Sequence, residues 1–180
     1  MAMSTSTRKV ALAAHLTFAV GWIGAAIAYL VLGVAAEASD DPETVRSAWV
    51  AMELIGWYVI VPLAVASLVT GVVMALGTRW GLFRHYWVLI SLVLTAFATI
   101  VLVLHMPSVT SNADAARDAD ATHLAVMGGD VEHPAIGIVV LVVVLVLNLH
   151  KPKGLTRYGR RRQQNERRAR TDQETTLVPS

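Results

Sequence analysis

The sequence has no cysteine, which excludes disulfides, thiolate metal sites, iron–sulfur clusters and covalently attached c-type haem, so any redox cofactor needs other ligands. Charge is scarce as well. Asp, Glu, Lys and Arg make up 16% of the 180 residues, against about 25% in ordinary soluble domains. No glycine-rich nucleotide loop and no flavin or quinone signature can be found. What remains is apolar: 55% of the residues, above the roughly 45–50% of soluble chains, with a mean hydropathy of +0.55. A water-soluble core cannot hide that share.

The apolar residues fall into four blocks, Val10 to Leu32, Leu54 to Leu76, Trp87 to Leu104 and Ala135 to Leu149. A hydrocarbon layer of roughly 30 Å takes about 20 helical residues, and the first three blocks meet or approach that length. The fourth is short and reaches a span only with His133 and His150 at its two interfaces. The expected fold is all-α: an up-down four-helix transmembrane bundle with spans at about 10–34, 52–76, 86–106 and 133–150. Gly21, Ala25 and Ala28, then Gly56, Ser67 and Gly71, are small residues at helical spacing that let neighbouring helices approach. Pro62 is expected to kink the second span.

Charge sets the expected orientation, because Lys and Arg are retained on the cytoplasmic side. Of 15 basic residues, all but Arg46 and Arg117 lie before the first span, between the second and third, or after the fourth. The acids Glu37, Asp40, Asp41, Glu43, Glu53, Asp114, Asp118, Asp120, Asp130 and Glu132 lie on the other side. Both termini are therefore expected in the cytoplasm, with the protein in the plasma membrane. Arg8, Lys9 and the small residues near Ala36 also suggest a cleavable signal. The first apolar run exceeds the 7 to 15 residues or so of a signal, so it reads as an uncleaved anchor.

Residues 1–154 form the expected membrane domain, and 155–180 a basic, disordered cytoplasmic tail. The tail reads first as a positive-inside signal and second as a contact for anionic lipid. The partners expected are the bilayer and either other membrane proteins or further copies of the chain, with no nucleic acid. The stretch from Pro107 to Glu132, with Gly128-Gly129 near its end, reads as a mobile outer loop or a short surface helix.

Six histidines are many for such a chain. His105 ends the third span and His133 begins the fourth, so the up-down order brings them to one level, with Glu53 near it. Ser91, Thr95, Leu102 and His105 share a stripe roughly 80° wide that should face protein. Gly137, one turn below His133, leaves room for a flat ligand or a close helix. His15 lies inside the first span near the opposite face. Three chemistries fit. Two imidazoles from facing helices can hold a b-type haem, with His105, His133 and His15 as candidate axial ligands. Imidazoles with a thioether can instead hold copper, through His105, His133, Met106 and Glu53. Histidines with Glu53 can also relay protons. Interfacial anchoring alone competes with all three, most strongly for His85, His123 and His150.

The segments Ala51-Met52-Glu53-Leu54-Ile55-Gly56-Trp57, Gly81-Leu82-Phe83-Arg84-His85-Tyr86-Trp87-Val88 and Leu104-His105-Met106 resemble a family of predicted integral membrane proteins of bacterial, actinobacterial type, the domain of unknown function 2269. The likeness runs from about Val10 to Gly154 and implies four spans without an established activity. More loosely, His15 followed by Gly21-Trp22-Ile23-Gly24 is similar to copper-resistance CopD-like proteins and to the four-helix protoporphyrinogen oxidase. That likeness implies haem or metal near His15. The lysine that the oxidase would carry on the third span is Ser91 in this chain, which speaks against that reaction. The reading is thus a membrane protein that holds haem b or copper for electron transfer or metal handling, and not an enzyme on its own. A cofactor-free accessory protein is the alternative.

Overall fold

The computed structural model describes residues 4–77, 85–124 and 126–150, with 156, 160, 161, 164 and 168 of the tail. The basic turn between the second and third spans and most of the basic tail lie outside the described residues. Ser4 caps α1 (Thr5–Ala38) by accepting a hydrogen bond from the Thr7 amide at 3.2 Å. Asp41 caps α2 (Pro42–Ile55), where Pro42 enters the first turn at no hydrogen-bonding cost; the carboxylate takes the Glu43 and Thr44 amides at 3.4 and 3.1 Å. A π-helical turn, Gly56–Ile60, leads into α3 (Val61–Gly77). Then come α4 (Tyr86–Asp118), the single turn α5 (Ala121–Leu124) and α6 (Glu132–His150).

The two internal prolines are absorbed differently. Pro62 has no N–H to donate and its ring crowds the carbonyl four residues back, so the preceding turn widens: the Val61 amide bonds to Gly56 O instead of to Trp57 O. The expected kink is thus a π-bulge. Pro107 sits within α4, which runs on to Asp118 and takes up half of the expected outer loop. The extension has few good helix formers beyond Ala113, Ala115, Ala116 and Arg117; it is held by the packing of Val109, Ala113 and Ala116 and by Asp114 and Arg117, which pair one turn apart at 2.6 Å.

Four helices are long and apolar enough to cross a membrane: α1, α2 with α3, α4, and α6. They form a ring in which α1 and α4 each pack against both α2–α3 and α6. His15 of α1 meets Ser67 and Thr70 near the end of α3, and Asn148 near the end of α6 meets Ser91 near the start of α4. Neighbouring helices therefore run antiparallel, and Thr5 and His150 lie at one end of the bundle. The outer surface carries large apolar side chains such as Val20, Val31, Leu104, Ile136 and Val139, and few residues of α6 are buried. That surface suits lipid.

At 34 and 33 residues, α1 and α4 are about 50 Å long, well beyond a hydrocarbon layer of about 30 Å. The excess projects at the end opposite Thr5 and His150. There Ala36, Val45, Ala48, Trp49, Met52, Val109, Ala113, Ala116 and Leu124 build a compact cap. Of the small residues expected at helix contacts, Gly21 lies against Leu63, Gly71 against the His15 ring and Gly56 against Met106, whereas Ala28 is exposed. A Cβ on Gly56 would lie 2.5 Å from Met106 Cε, in a thioether that is 1% exposed. Gly56→Ala is therefore expected to destabilise the bundle by about 1–2 kcal/mol, measured by thermal unfolding in detergent.

Candidate functional site

Tyr29, Gly33 and Glu37 follow one another at four-residue spacing, so one face of α1 presents all three to the segment before α6. The contact at Gly33 is backbone to backbone: a Cβ there would fall 2.2 Å from Asp130 O, and one on Gly129 would fall 1.9 Å from Gly33 O. Only glycine permits that approach. Glu37 accepts the Gly129 amide at 2.7 Å, and the Trp49 indole on α2 donates to Gly128 O at 3.1 Å. Gly128 turns the chain with a φ of 58°, a left-handed conformation. These ties place Asp130 against the bundle, where it is 9% exposed.

The Asp130 carboxylate joins three elements. Oδ2 accepts from the Tyr29 hydroxyl of α1 at 2.8 Å and lies 2.7 Å from His105 Nε2 of α4. Oδ1 lies 3.3 Å from His133 Nδ1 at the start of α6. The His105 and His133 rings stack with centroids 3.8 Å apart and planes inclined by 17°. One donor atom from each of His105, Asp130 and His133 lies within 4.8 Å of the other two. Burial pushes the Asp130 carboxyl upward, but hydrogen bonds from His105 and Tyr29 and the two nearby imidazoles outweigh it, and the net shift is downward. The group is thus an anion at neutral pH. Because the folded protein holds this group below its ordinary range, its ionisation stabilises the fold above about pH 4 and that contribution is lost on further acidification. In chelator, the stability difference between the wild type and Asp130→Asn, from unfolding curves at several pH values, should shrink below about pH 4.

The two histidines expected to meet do so, but as a face-to-face stack. A bis-imidazole haem needs both nitrogens to approach the iron end-on from opposite sides of the porphyrin. Rings stacked at 3.8 Å leave no room for that plane, so this pair does not have haem-sandwich geometry. Nor do Met106 and Glu53 join the pair. Met106 follows His105 on the helix and so points about 100° away, with its sulfur against Gly56. Glu53 pairs with Arg117 of α4, which also holds Asp114. The expected stripe on α4 does face protein, with Ser91 buried and Thr95, Leu102 and His105 half-buried. The space at Gly137 is open, with nothing within 4 Å of an added Cβ.

His15 lies at the other end of the bundle, apart from the Asp130 cluster. Its Nδ1 lies 3.1 Å from Ser67 O and 3.0 Å from Thr70 Oγ1; a carbonyl only accepts, so Nδ1 carries the hydrogen and Nε2 the lone pair. His123 pairs with Asp120 on the exposed turn α5, His150 bonds to Val146 O, and His85 precedes α4 beside Trp87. Sequence reasoning missed Tyr29 and Asp130. The signals for them were the Tyr29-Gly33-Glu37 spacing and an aspartate three residues before His133, next to a glycine pair.

These features define a four-span helical membrane protein with a buried carboxylate between two imidazoles at the end remote from its termini. The chain belongs to the family of predicted integral membrane proteins designated DUF2269, which matches residues 9–152. No curated protein and no solved structure matches it, so the likeness to copper-resistance and oxidase proteins gains no further support.

Proposed function

We propose that the protein binds a divalent first-row transition metal through His105, Asp130 and His133 and handles that ion at the outer face of the plasma membrane. One observation carries this reading: a buried, ionised aspartate with an imidazole nitrogen on each oxygen, the three donors within 4.8 Å of one another. With metal–ligand bonds of about 2.0–2.1 Å, tetrahedral donors lie about 3.3 Å apart, so closing the set on an ion requires the two imidazoles to tilt out of their stack until both lone pairs converge. Two imidazoles and a carboxylate suit zinc, divalent copper or ferrous iron, whereas monovalent copper would call for the thioether that Met106 turns away. Metal analysis of the purified protein, with an absorption spectrum before and after dithionite, tests the reading. One divalent ion per chain without a Soret band supports it. A Soret band, or no ion after growth in metal-replete medium, contradicts it.

The cofactor-free accessory reading has its own support. The same carboxylate, with every partner satisfied, also pins residues 128–130 to α1, α4 and α6. In that case the cluster is structural, and zinc leaves the unfolding temperature unchanged.

The charge bias supports a cytoplasmic location for both termini, and its two exceptions are compatible with that orientation. Arg46 is neutralised by Glu43 and held by Ala116 O and Ala119 O, and Arg117 is held by Glu53 and Asp114. Since the chain has no cysteine, Asp120→Cys gives a single thiol. It should react with a membrane-impermeant maleimide in intact cells; labelling only after lysis would reverse the orientation.

A further inference from the structure

We propose that Tyr29 determines how the Asp130 carboxylate meets the bound cation, restricting it to one oxygen and keeping the coordination number low. The inference rests on the metal-binding reading above. Tyr29 comes from α1, a helix that supplies none of the three ligands, and its side chain is buried, with the hydroxyl 2.8 Å from Oδ2. The two carboxylate oxygens are not equivalent. Oδ2 has both Tyr29 and His105 as neighbours, while among the described residues Oδ1 has His133, at the longer distance of 3.3 Å.

Metal binding changes that arrangement in a defined way. An imidazole nitrogen that coordinates a cation has given up its hydrogen, so neither His105 Nε2 nor His133 Nδ1 then donates to the carboxylate. The Tyr29 O–H remains and still occupies Oδ2, leaving Oδ1 to the ion. A one-oxygen carboxylate with two imidazoles, plus water at the exposed His133 side, makes the four-coordinate set that zinc accepts. A carboxylate free to use both oxygens raises the coordination number and suits larger, harder ions such as manganese or calcium. Tyr29 is therefore a positioning residue that also sets metal preference.

Cobalt(II) reports coordination number through its visible absorption, which is intense at four-coordinate and weak at six-coordinate sites. The test titrates the full-length protein in detergent with cobalt, alone and against manganese, for wild type and Tyr29→Phe. The wild type should take up one cobalt with intense bands and resist manganese. Tyr29→Phe should bind about 10- to 100-fold more weakly, with fainter bands and easier displacement by manganese. A folded Tyr29→Phe protein that matches the wild type in affinity, spectrum and competition overturns the role of Tyr29 and leaves the metal site standing. Weak six-coordinate bands in the wild type overturn it without recourse to the variant. Absence of cobalt uptake by folded wild-type protein overturns the inference together with the reading it rests on.

Discussion

Zinc affinity is expected to fall in His105→Ala by more than the roughly 10- to 100-fold that loss of an outer hydrogen-bond partner costs at metal sites, because one of the three proposed ligands among the described residues is removed. The histidine projects from a continuous stretch of α4, so truncating it leaves the helix intact. Asp130→Ala should bind as poorly and also lose stability. The Tyr29 hydroxyl, on a side chain 4% exposed, would be left without its acceptor at a cost of about 1–3 kcal/mol. Two controls separate this site from histidine content in general. His123→Ala alters an exposed pair on α5, and His15→Ala a residue at the far end of the bundle. Zinc titration calorimetry on detergent-solubilised protein should show wild-type affinity for both. Equal losses in all four variants would mean that zinc binds histidines without regard to this cluster.

Gly129→Ala should be among the most damaging single-methyl changes. Its Cβ would fall 1.9 Å from Gly33 O and 3.0 Å from the Glu37 amide nitrogen, both backbone atoms of a packed helix. No side chain can rotate away to relieve the overlap, so residues 128–130 must leave α1, carrying Asp130 from His105. Overpacking of this kind costs at least about 1–3 kcal/mol, and the displacement should also abolish zinc binding. Gly33→Ala meets the same interface from the other side and should behave alike. Gly24→Ala and Gly137→Ala, which place a methyl where nothing lies within 4 Å, should keep or slightly raise stability. Wild-type unfolding temperatures for Gly129→Ala would show that this segment does not rest on α1.

The spans were readable because hydropathy along a membrane helix needs no knowledge of packing, and the proximity of His105 and His133 followed from chain order alone. Other features depended on contacts far apart in sequence. Asp130 looked like a solvated residue of a glycine-rich loop, and its burial depends on Gly33, nearly a hundred positions earlier. Glu53 looked available as a ligand, but its partner Arg117 is 64 residues away. Met106 illustrates a local rule that was within reach, since consecutive helical residues cannot serve the same site. The length of α4 was obscured by Pro107, a residue that ends soluble helices more readily than those stabilised by neighbouring membrane helices.

X-ray absorption at the metal edge of the zinc-loaded, full-length protein tests the central claim most directly. Two imidazole nitrogens and at least one oxygen at about 2.0–2.1 Å are predicted, with the imidazole scattering reduced in His105→Ala and in His133→Ala. A shell of oxygens alone, or the same imidazole signal in both variants, would show that His105, Asp130 and His133 do not hold the ion.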